Sequence, residues 1–283
     1  MKKRLAIIAT VALILNGVLI TEKCNGQNLK KSVKRYFTVF SSGKPENNGK
    51  LNKYLMKATY VNRNLDGNFT GKTFVSGEYM RGFKDGHVEW ENVYLASSDN
   101  VSEPFPRGTK QEFMENFRYI PSEKMLTSEA FKDFPATPEN VFIRNLIWDM
   151  YTFEKYAWDF SDSLSLNTPF ILSEMGFQFD MAEIGKYTHN KILLSWNGIS
   201  LINGEICSVI EFDAIDNILE ITMPGIRTKG AEQYWGTIWV SLVTHEIEQA
   251  VMYSGTVQQI EVESLKDKFF IKTVREIKVE KIH

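Results

Sequence analysis

The chain ends, from Tyr234 to His283, in the stretch YWGTIWVSLVTHEIEQAVMYSGTVQQIEVESLKDKFFIKTVREIKVEKIH. Apolar and polar residues alternate through most of it, which is the period of a half-buried β-strand. The pattern predicts four consecutive strands of an antiparallel sheet. In the first of them Trp235 and Trp239 fall on one face and Tyr234 and Ile238 on the other, so we expect a central strand covered on both sides.

The same stretch contains HEIEQ at positions 245–249, which resembles the zinc signature HExxH. Its fifth residue is Gln249, a poor zinc ligand, and the signature needs two histidines on one face of a helix. The apolar residues around His245 recur with period two, which indicates strands. We therefore interpret Thr244-His245 as a hairpin turn and expect neither a metal nor a cofactor.

Turn signals also divide the chain between residues 176 and 223. The pairs Asn197-Gly198, Asn203-Gly204 and Asp216-Asn217 separate apolar-rich runs, and such pairs are strong local hairpin signals. No helical run long enough for a parallel crossover separates these runs, so the sheet is expected to be antiparallel. Cys207 lies in one of the runs and is interpreted as a small core residue.

A β-rich region is predicted at 51–137. There the sequence His87-Val88-Glu89-Trp90-Glu91 puts His87, Glu89 and Glu91 on one face of a strand. A histidine and two carboxylates could bind a metal. The polar face of a half-buried strand has the same pattern, and we favour that interpretation.

A long apolar helix is predicted from about 138 to 163, around the stretch RNLIWDMYTFEKYAWDF at 144–160. Apolar residues surround most of it, which is typical of a buried helix. It also contains Asp149 and Glu154, whose pKa values burial would raise, as a general acid requires; polar side chains at the rim of a helix give the same composition. Five aromatic residues are the candidate lining of a ligand cavity: Trp148, Phe153, Trp158, Trp235 and Trp239.

The N-terminus has the layout of a secretory signal peptide, because the basic segment Met1-Lys2-Lys3-Arg4 precedes an apolar run from Leu5 to Ile20. We expect cleavage after Gly26 and a periplasmic or extracellular protein; the alternative is a single N-terminal membrane anchor. Residues 27–50 are predicted to form a short amphipathic helix and a linker. The basic face of that helix could contact a membrane surface, although a solvated face is the preferred interpretation.

Charge and cysteine content exclude some functions. Residues 1–26 carry four Lys or Arg and one Glu, so their removal changes the formal net charge from −2 to −5. An acidic chain is a poor candidate for nucleic-acid binding, which depends on clustered positive charge. Only Cys207 would remain, so no intramolecular disulfide is expected.

The meander YWGTIWVSLVT, followed by EIEQAVMYSG and a last strand of alternating charge, resembles the periplasmic lipoprotein carriers and the outer-membrane lipoprotein-sorting proteins. The likeness covers 138–283. It implies a half-barrel with helices in its concavity that shields acyl chains. The single long helix before the meander departs from that family.

The predicted fold class is α+β, with a strongly curved antiparallel sheet packed on one long apolar helix and with 51–137 and 138–283 in one continuous domain. We expect an exported, non-catalytic protein that binds a hydrophobic small molecule, a lipid or a lipoprotein between helix and sheet. The alternative is an exported hydrolase that uses His87, Glu89 and Glu91, or Asp149 and Glu154. The pattern leaves the oligomeric state open.

Overall fold

The structure is a computed structural model that describes residues 43–135, 137, 139–173, 177–182, 185–265 and 268–283. The chain divides into two compact units, Met1–Ser41 and Ser42–His283. Every described residue belongs to the second unit. The predicted signal peptide at 1–26 and the predicted helix that follows it lie outside the described residues.

The N-terminal part of the second unit is built from strands and short turns of 3₁₀ helix. The strands are β1 (Asn52–Arg63), β2 (Phe69–Arg81), β3 (Val88–Ser98), β4 (Thr109–Lys110) and β5 (Phe117–Tyr119). The 3₁₀ turns are Glu112–Met114, Glu123–Leu126 and Ser128–Phe131. Inward side chains of β1 and β2 alternate with more exposed ones, which is the pattern of a strand with one covered face.

Helix α1 (Asn140–Glu154) continues as a π-helical turn over Lys155–Asp159, so 15 and 5 residues make one helix of 20. A 3₁₀ turn at Ser161–Ser163 follows. The helix predicted from the apolar pattern is therefore confirmed, with its end four residues earlier. One side of it is fully buried and carries Ile143, Leu146, Ile147, Met150 and Phe153.

The rest of the chain is strand. It comprises β6 (Phe170–Ser173), β7 (Phe177–Asp180), β8 (Gly185–His189), β9 (Lys191–Ile202), β10 (Glu205–Met223), β11 (Ile226–Ser241), β12 (Ile247–Val262) and β13 (Lys268–Ile282). All thirteen strands belong to one antiparallel sheet in the order β4-β3-β2-β1-β13-β12-β11-β10-β8-β7, with β5 on β3, β9 on β10 and β6 on β9. This large sheet is not closed. The described residues are thus mostly β, and the α+β class fits only loosely.

The first and last strands of the described chain are neighbours. Strand β1 pairs with β13 from Lys53↔Ile282 to Arg63↔Lys272, and Tyr60 lies opposite Arg275. The N-terminal strands and the C-terminal meander therefore share one sheet and one covered face.

Two of the predicted hairpins are wrong. Strand β9 runs through Asn197-Gly198 and β10 runs through Asp216-Asn217, each with a shift of register at that point. The positive φ of 58° at Asp216 therefore serves a bulge within a strand. Asn203-Gly204 does form the predicted hairpin, with φ of 52° and 84°.

The C-terminal stretch contains three strands, β11 to β13, instead of the predicted four. The turn predicted at Thr244-His245 is confirmed, and His245 has a φ of 61°. The prediction that β11 is covered on both sides is wrong. Tyr234 and Ile238 are buried, but Trp235, on the opposite face, is 45% exposed. The period of two shows which side chains of β11 share a face. Because aromatic residues occur on both faces, the sequence does not show which face is buried.

None of the helices in the described ranges combines the length and apolarity that crossing a lipid bilayer requires. Helix α1 instead lies on the inner face of the sheet, which we define as the face that carries Tyr60, Tyr234 and Ile277. Tyr60 packs edge-on against Phe142 at the start of the helix, and Phe212 of β10 packs against Phe153 near its end.

Candidate functional site

A cavity of about 1340 Å³ lies between helix α1 and the inner face of the sheet. It is larger than the roughly 300–1,000 Å³ of an ordinary small-molecule site. Strands β1 and β6 to β13 contribute to its wall, and α1 contributes one whole side. The cavity is therefore a major feature of the fold and not a packing defect.

Helix α1 separates a filled half of the inner face from this cavity. On the filled side Leu146 of the helix, with Trp90 and Val93 of β3, surrounds Gly77 of β2 so closely that a methyl group there would lie within 3.0–3.3 Å of all three. On the other side of the helix Asn145, Trp148, Asp149, Thr152 and Tyr156 line the cavity. The two sets alternate with helical periodicity, so one helix serves both as core and as cavity wall.

The wall is mainly apolar. Its apolar members are Leu126, Pro135, Val141, Phe142, Trp148, Phe160, Leu172, Phe179, Met181, Ile192, Leu219, Ile221, Pro224, Ile226, Met252, Ile260 and Ile271. Contact with these side chains would remove apolar ligand surface from water, which contributes about 25 cal/mol for each Å².

Hydrogen bonds between distant parts of the chain connect two sides of the cavity wall. The backbone N–H of Ala182, after β7, donates a hydrogen bond to the carbonyl oxygen of Leu126 at 2.9 Å. The indole N–H of Trp148 donates to the neighbouring Met125 carbonyl, also at 2.9 Å. The edge of the sheet is thereby tied, through the Glu123–Leu126 turn, to helix α1.

A row of polar side chains crosses the inner face at mid-cavity. Its members lie opposite one another in consecutive strands: Asn62, Thr273, Thr256, Glu232 and Asn217. We call this the polar row. Thr273 donates to Asn62 at 2.8 Å, and Thr256 donates to Glu232 at 3.3 Å. Small threonines here leave space that larger apolar residues would fill.

Beside the polar row lies a buried charge cluster, which we define as Asp149, Arg275 and Glu232. The Arg275 guanidinium donates to the Asp149 carboxylate, and its other terminal nitrogen lies 3.7 Å from Glu232. Tyr187 donates to Glu232 at 2.6 Å, and the guanidinium lies 5.0 Å from the centre of the Tyr60 ring. One cation is shared by two carboxylates, which gives the ionised cluster a net charge of −1.

Burial and ion pairing oppose each other in this cluster. Burial raises the pKa of Asp149 to about 6, against the opposing effect of Arg275, and Glu232 raises it further. Burial alone would lower the pKa of Arg275, but Asp149 and Glu232 raise it, so the guanidinium stays charged. Burial also lowers the pKa of His189, whose Nδ1 lies 3.1 Å from the Asn217 amide oxygen.

A second buried charge cluster holds the far end of the helix. Arg81 lies between Glu154 and Glu246 at 3.7 and 3.5 Å, with its guanidinium 4.0 Å from the Trp158 ring. Tyr79 donates to Glu154 at 2.6 Å, and burial raises the pKa of Glu154. Glu154 is therefore an anchor between helix and sheet.

The five aromatic residues predicted to line a cavity have different positions. Trp148 lies in the cavity wall. Phe153 and Trp158 are buried in the contacts between helix and sheet, against Phe212 and Arg81 respectively. Trp235 stacks on Tyr253 on the outer face of the sheet, and Trp239, four residues further along β11, lies on that same face. Trp235 and Trp239 share the outer face because side chains four residues apart in a strand lie on the same side.

The other candidate chemistry does not assemble. His87 stacks on Phe83, Glu89 binds Arg118 and Glu91 binds Lys53, so these three side chains have separate partners. Across the described ranges, no three His, Cys, Asp or Glu side chains form a group that could hold a metal ion. Cys207 is fully buried, and burial raises its pKa to about 12.

Sequence reasoning missed the polar side chains of the cavity. Asn140, Arg144 and Arg275 each have a buried side-chain nitrogen without a hydrogen-bond partner in the described part of the chain, and the Tyr60 hydroxyl is buried likewise beside Asn145 and Arg275. All four line the cavity. A local signal existed for two of them, because Asn140 and Arg144 are polar residues four apart at the start of a helix that is rich in apolar residues.

The comparisons with known proteins assign no family. No family model matches the chain, and no curated protein matches it. A solved structure titled "Lipid-protein interactions in lipovitellin" is similar with a TM-score of 0.45 and 15% identity, over 83% of this chain and 25% of that one. The chain thus spans about a quarter of the length of that protein.

Proposed function

We propose that this protein binds a hydrophobic ligand, such as a lipid or a lipidated chain, in the cavity between helix α1 and the sheet. The observation that carries the proposal is a cavity of about 1340 Å³ with a mainly apolar wall. An empty apolar space of that size forfeits the dispersion contacts that a filled core would have. A bound apolar molecule would restore them.

The proposal includes a strongly curved, half-barrel-like sheet. Tyr60 of β1 and Tyr187 of β8 are separated by four intervening strands in the sheet order, yet both line this cavity. A flat sheet would hold them about 24 Å apart, since neighbouring strands are about 4.8 Å apart. Curvature around the ligand explains how both reach it.

A binding role is favoured over a hydrolytic one. Asp149 is engaged by Arg275, and Glu154 is engaged by Tyr79 and Arg81. A general acid must be within hydrogen-bond reach of the group that it protonates. Carboxyls held between helix and sheet are better explained as anchors that shape the cavity.

Matched tryptophan substitutions on strand β10 test the proposal. Ile221 lines the cavity, whereas Ile218 is 46% exposed on the outer face of the same strand. We expect a fluorescent fatty acid to bind the native chain and to be displaced by unlabelled lipid. Ile221→Trp should weaken its binding at least about tenfold because the indole occupies ligand space, and Ile218→Trp should leave the affinity unchanged.

Native mass spectrometry of the purified protein provides a second measurement, since a bound lipid would appear as added mass. Absence of bound lipid, together with no fluorescent signal from the native chain, would rule out the binding function. Equal weakening by both substitutions would place the ligand elsewhere.

We also propose that the protein is exported, to the periplasm or the extracellular space. The support is the order of a basic segment, Met1–Arg4, and an apolar run before Gly26. A lipid-binding protein in such a compartment would carry its ligand through water between membranes, or hold it at a membrane surface.

A further inference from the structure

Two polar side chains at the beginning of helix α1 lack the partners that buried polar groups ordinarily have. Asn140 is only 6% exposed, and its amide nitrogen makes no hydrogen bond to any described residue. Arg144, one turn further on, has a buried Nε that is equally unpartnered. Residues four apart lie on one side of a helix, and both of these line the cavity.

Arg144 is also a cation without a counter-charge. Its guanidinium lies 5.0 Å from the centre of the Phe131 ring, and no carboxylate in the described part of the chain lies within ion-pair distance of it. Burial lowers its pKa, with no acidic neighbour to offset this. The side chain as a whole is half-buried, but its enclosed Nε is costly to bury unless a ligand accepts its hydrogen bond.

The helix itself adds to the positive potential at this point. Helix α1 begins at Asn140, and no side chain caps its first turn, although the backbone N–H groups of Asn140 and Phe142 already donate to the carbonyls of Thr137 and Glu139. The N-terminus of a helix carries partial positive charge, which favours an anion. A donor amide, a guanidinium without a counter-charge and the partial positive charge of a helix N-terminus therefore lie within one helical turn of one another.

The unpartnered polar atoms of the cavity wall are also of one kind, hydrogen-bond donors. Nine buried side-chain atoms lack a partner among the described residues, and four of them line this cavity. All four can donate a hydrogen bond, but the Tyr60 hydroxyl interacts with Asn145 and Arg275, so Asn140 and Arg144 are the two donors free for a ligand. A ligand that satisfies them must supply acceptor oxygens.

We propose that Arg144 and Asn140 bind the anionic head group, a carboxylate or a phosphate, of an amphiphile whose apolar tail occupies the cavity. This inference rests on the proposed binding function. Arginine suits both head groups because its donors can pair with two oxygens at once. Arg275 is the weaker candidate, since Asp149 and Glu232 already neutralise it and the cluster has a net negative charge.

The test compares ligands with one tail and different head groups. Dodecanoic acid, dodecanol and a lysophosphatidic acid of the same chain length are titrated against the native chain in a fluorescent-probe displacement assay. We expect either anionic ligand to bind more tightly than dodecanol by between about tenfold and about a hundredfold, as for a hydrogen bond to a charged group. The tighter of the two anions identifies the head group. Inorganic phosphate alone should not displace the probe, because it lacks the tail.

Substitutions then locate the head group. Arg144→Gln and Asn140→Asp should each remove most of the preference for the anion and leave the affinity for dodecanol unchanged. Asn140→Asp keeps the side-chain volume and places a carboxylate one turn from Arg144, where it competes with an anionic ligand for the guanidinium. Arg107→Gln makes the same charge change at an exposed arginine outside the cavity and should preserve the preference.

The results separate the two proposals. Equal affinity of the native chain for acid and alcohol overturns the head-group inference while the binding function stands. No affinity for either ligand overturns the binding function itself. An anion preference that survives in both Arg144→Gln and Asn140→Asp assigns the head group to other residues and refutes this site.

Discussion

The substitution Asp149→Asn tests the electrostatics of the cavity. Asp149 is 8% exposed and shares the Arg275 guanidinium with Glu232. Asparagine has nearly the same shape and keeps an oxygen that can accept from Arg275, but it does not titrate. The variant therefore removes one ionisation from the cluster and leaves its packing in place.

The expected magnitude follows from the pKa. Burial raises the pKa of Asp149 from 3.8 to about 6 in the folded chain, which corresponds to about 3 kcal/mol in full. Because the folded value is the higher one, this stabilisation is complete below pH 3.8 and is lost as the pH rises through about 6. Between pH 5.0 and pH 7.5 the wild type should lose about 1.4 kcal/mol that Asp149→Asn does not lose.

Urea unfolding monitored by tryptophan fluorescence at these two pH values gives the four free energies of unfolding that this comparison needs. Asp66→Asn, at an exposed aspartate of the β1–β2 turn, is the control and should behave as the wild type does. The reasoning is refuted if the wild type gains stability relative to Asp149→Asn as the pH rises. In that case Arg275 would hold the pKa of Asp149 below its usual range, and the ion pair would outweigh burial.

Two further predictions concern the sheet and the N-terminus. Gly236→Ala should destabilise the fold by about 1–3 kcal/mol in urea unfolding, because a Cβ there would collide with the Val251 backbone and the Phe212 ring. Gly255→Ala is the control, since a Cβ at that position in the next strand has nothing within 4 Å, and it should change the free energy of unfolding by less than about 0.5 kcal/mol. Equal losses of stability in the two variants would contradict the argument. N-terminal sequencing of protein recovered from the producing cells should begin at Gln27 if the signal peptide is cleaved after Gly26, whereas an intact N-terminus in the membrane fraction would support the anchor.

The sequence predicts the antiparallel sheet well and its turns unevenly. Residue types that tolerate positive φ suit both a two-residue hairpin and a bulge. At Asn203-Gly204 the chain reverses, whereas at Asp216-Asn217 β10 continues because β8 and β11 flank it on both sides. That difference depends on strands distant in sequence, so no local pattern could have decided it.

The candidate site was predictable only in part. The apolar helix correctly drew attention to Asp149 and Glu154 as buried carboxyls, since both are buried and burial raises both pKa values. Their arginine partners were invisible, because Arg275 is 126 residues from Asp149 and Arg81 approaches Glu154 from β2. Whether a buried carboxyl is a candidate acid or a structural anchor depends on its hydrogen-bond and ion-pair partners, and the fold determines which residues those partners are.

Chain geometry explains why a space exists here, but it does not by itself explain a ligand. Twenty helical residues extend about 30 Å, whereas the 16 residues of β12 extend about 54 Å, so α1 cannot cover the whole inner face.

The uncovered part of the inner face could still have been filled by large side chains, as Tyr79 and Trp90 fill the other half. Thr273 and Thr256 stand in the polar row instead, and unpaired donors line the same cavity. Water could satisfy those donors, but the apolar side chains that form most of the wall would then remain hydrated at a cost. An amphiphile satisfies both parts of the wall at once, which is why the cavity's polarity pattern supports a ligand more strongly than its volume does.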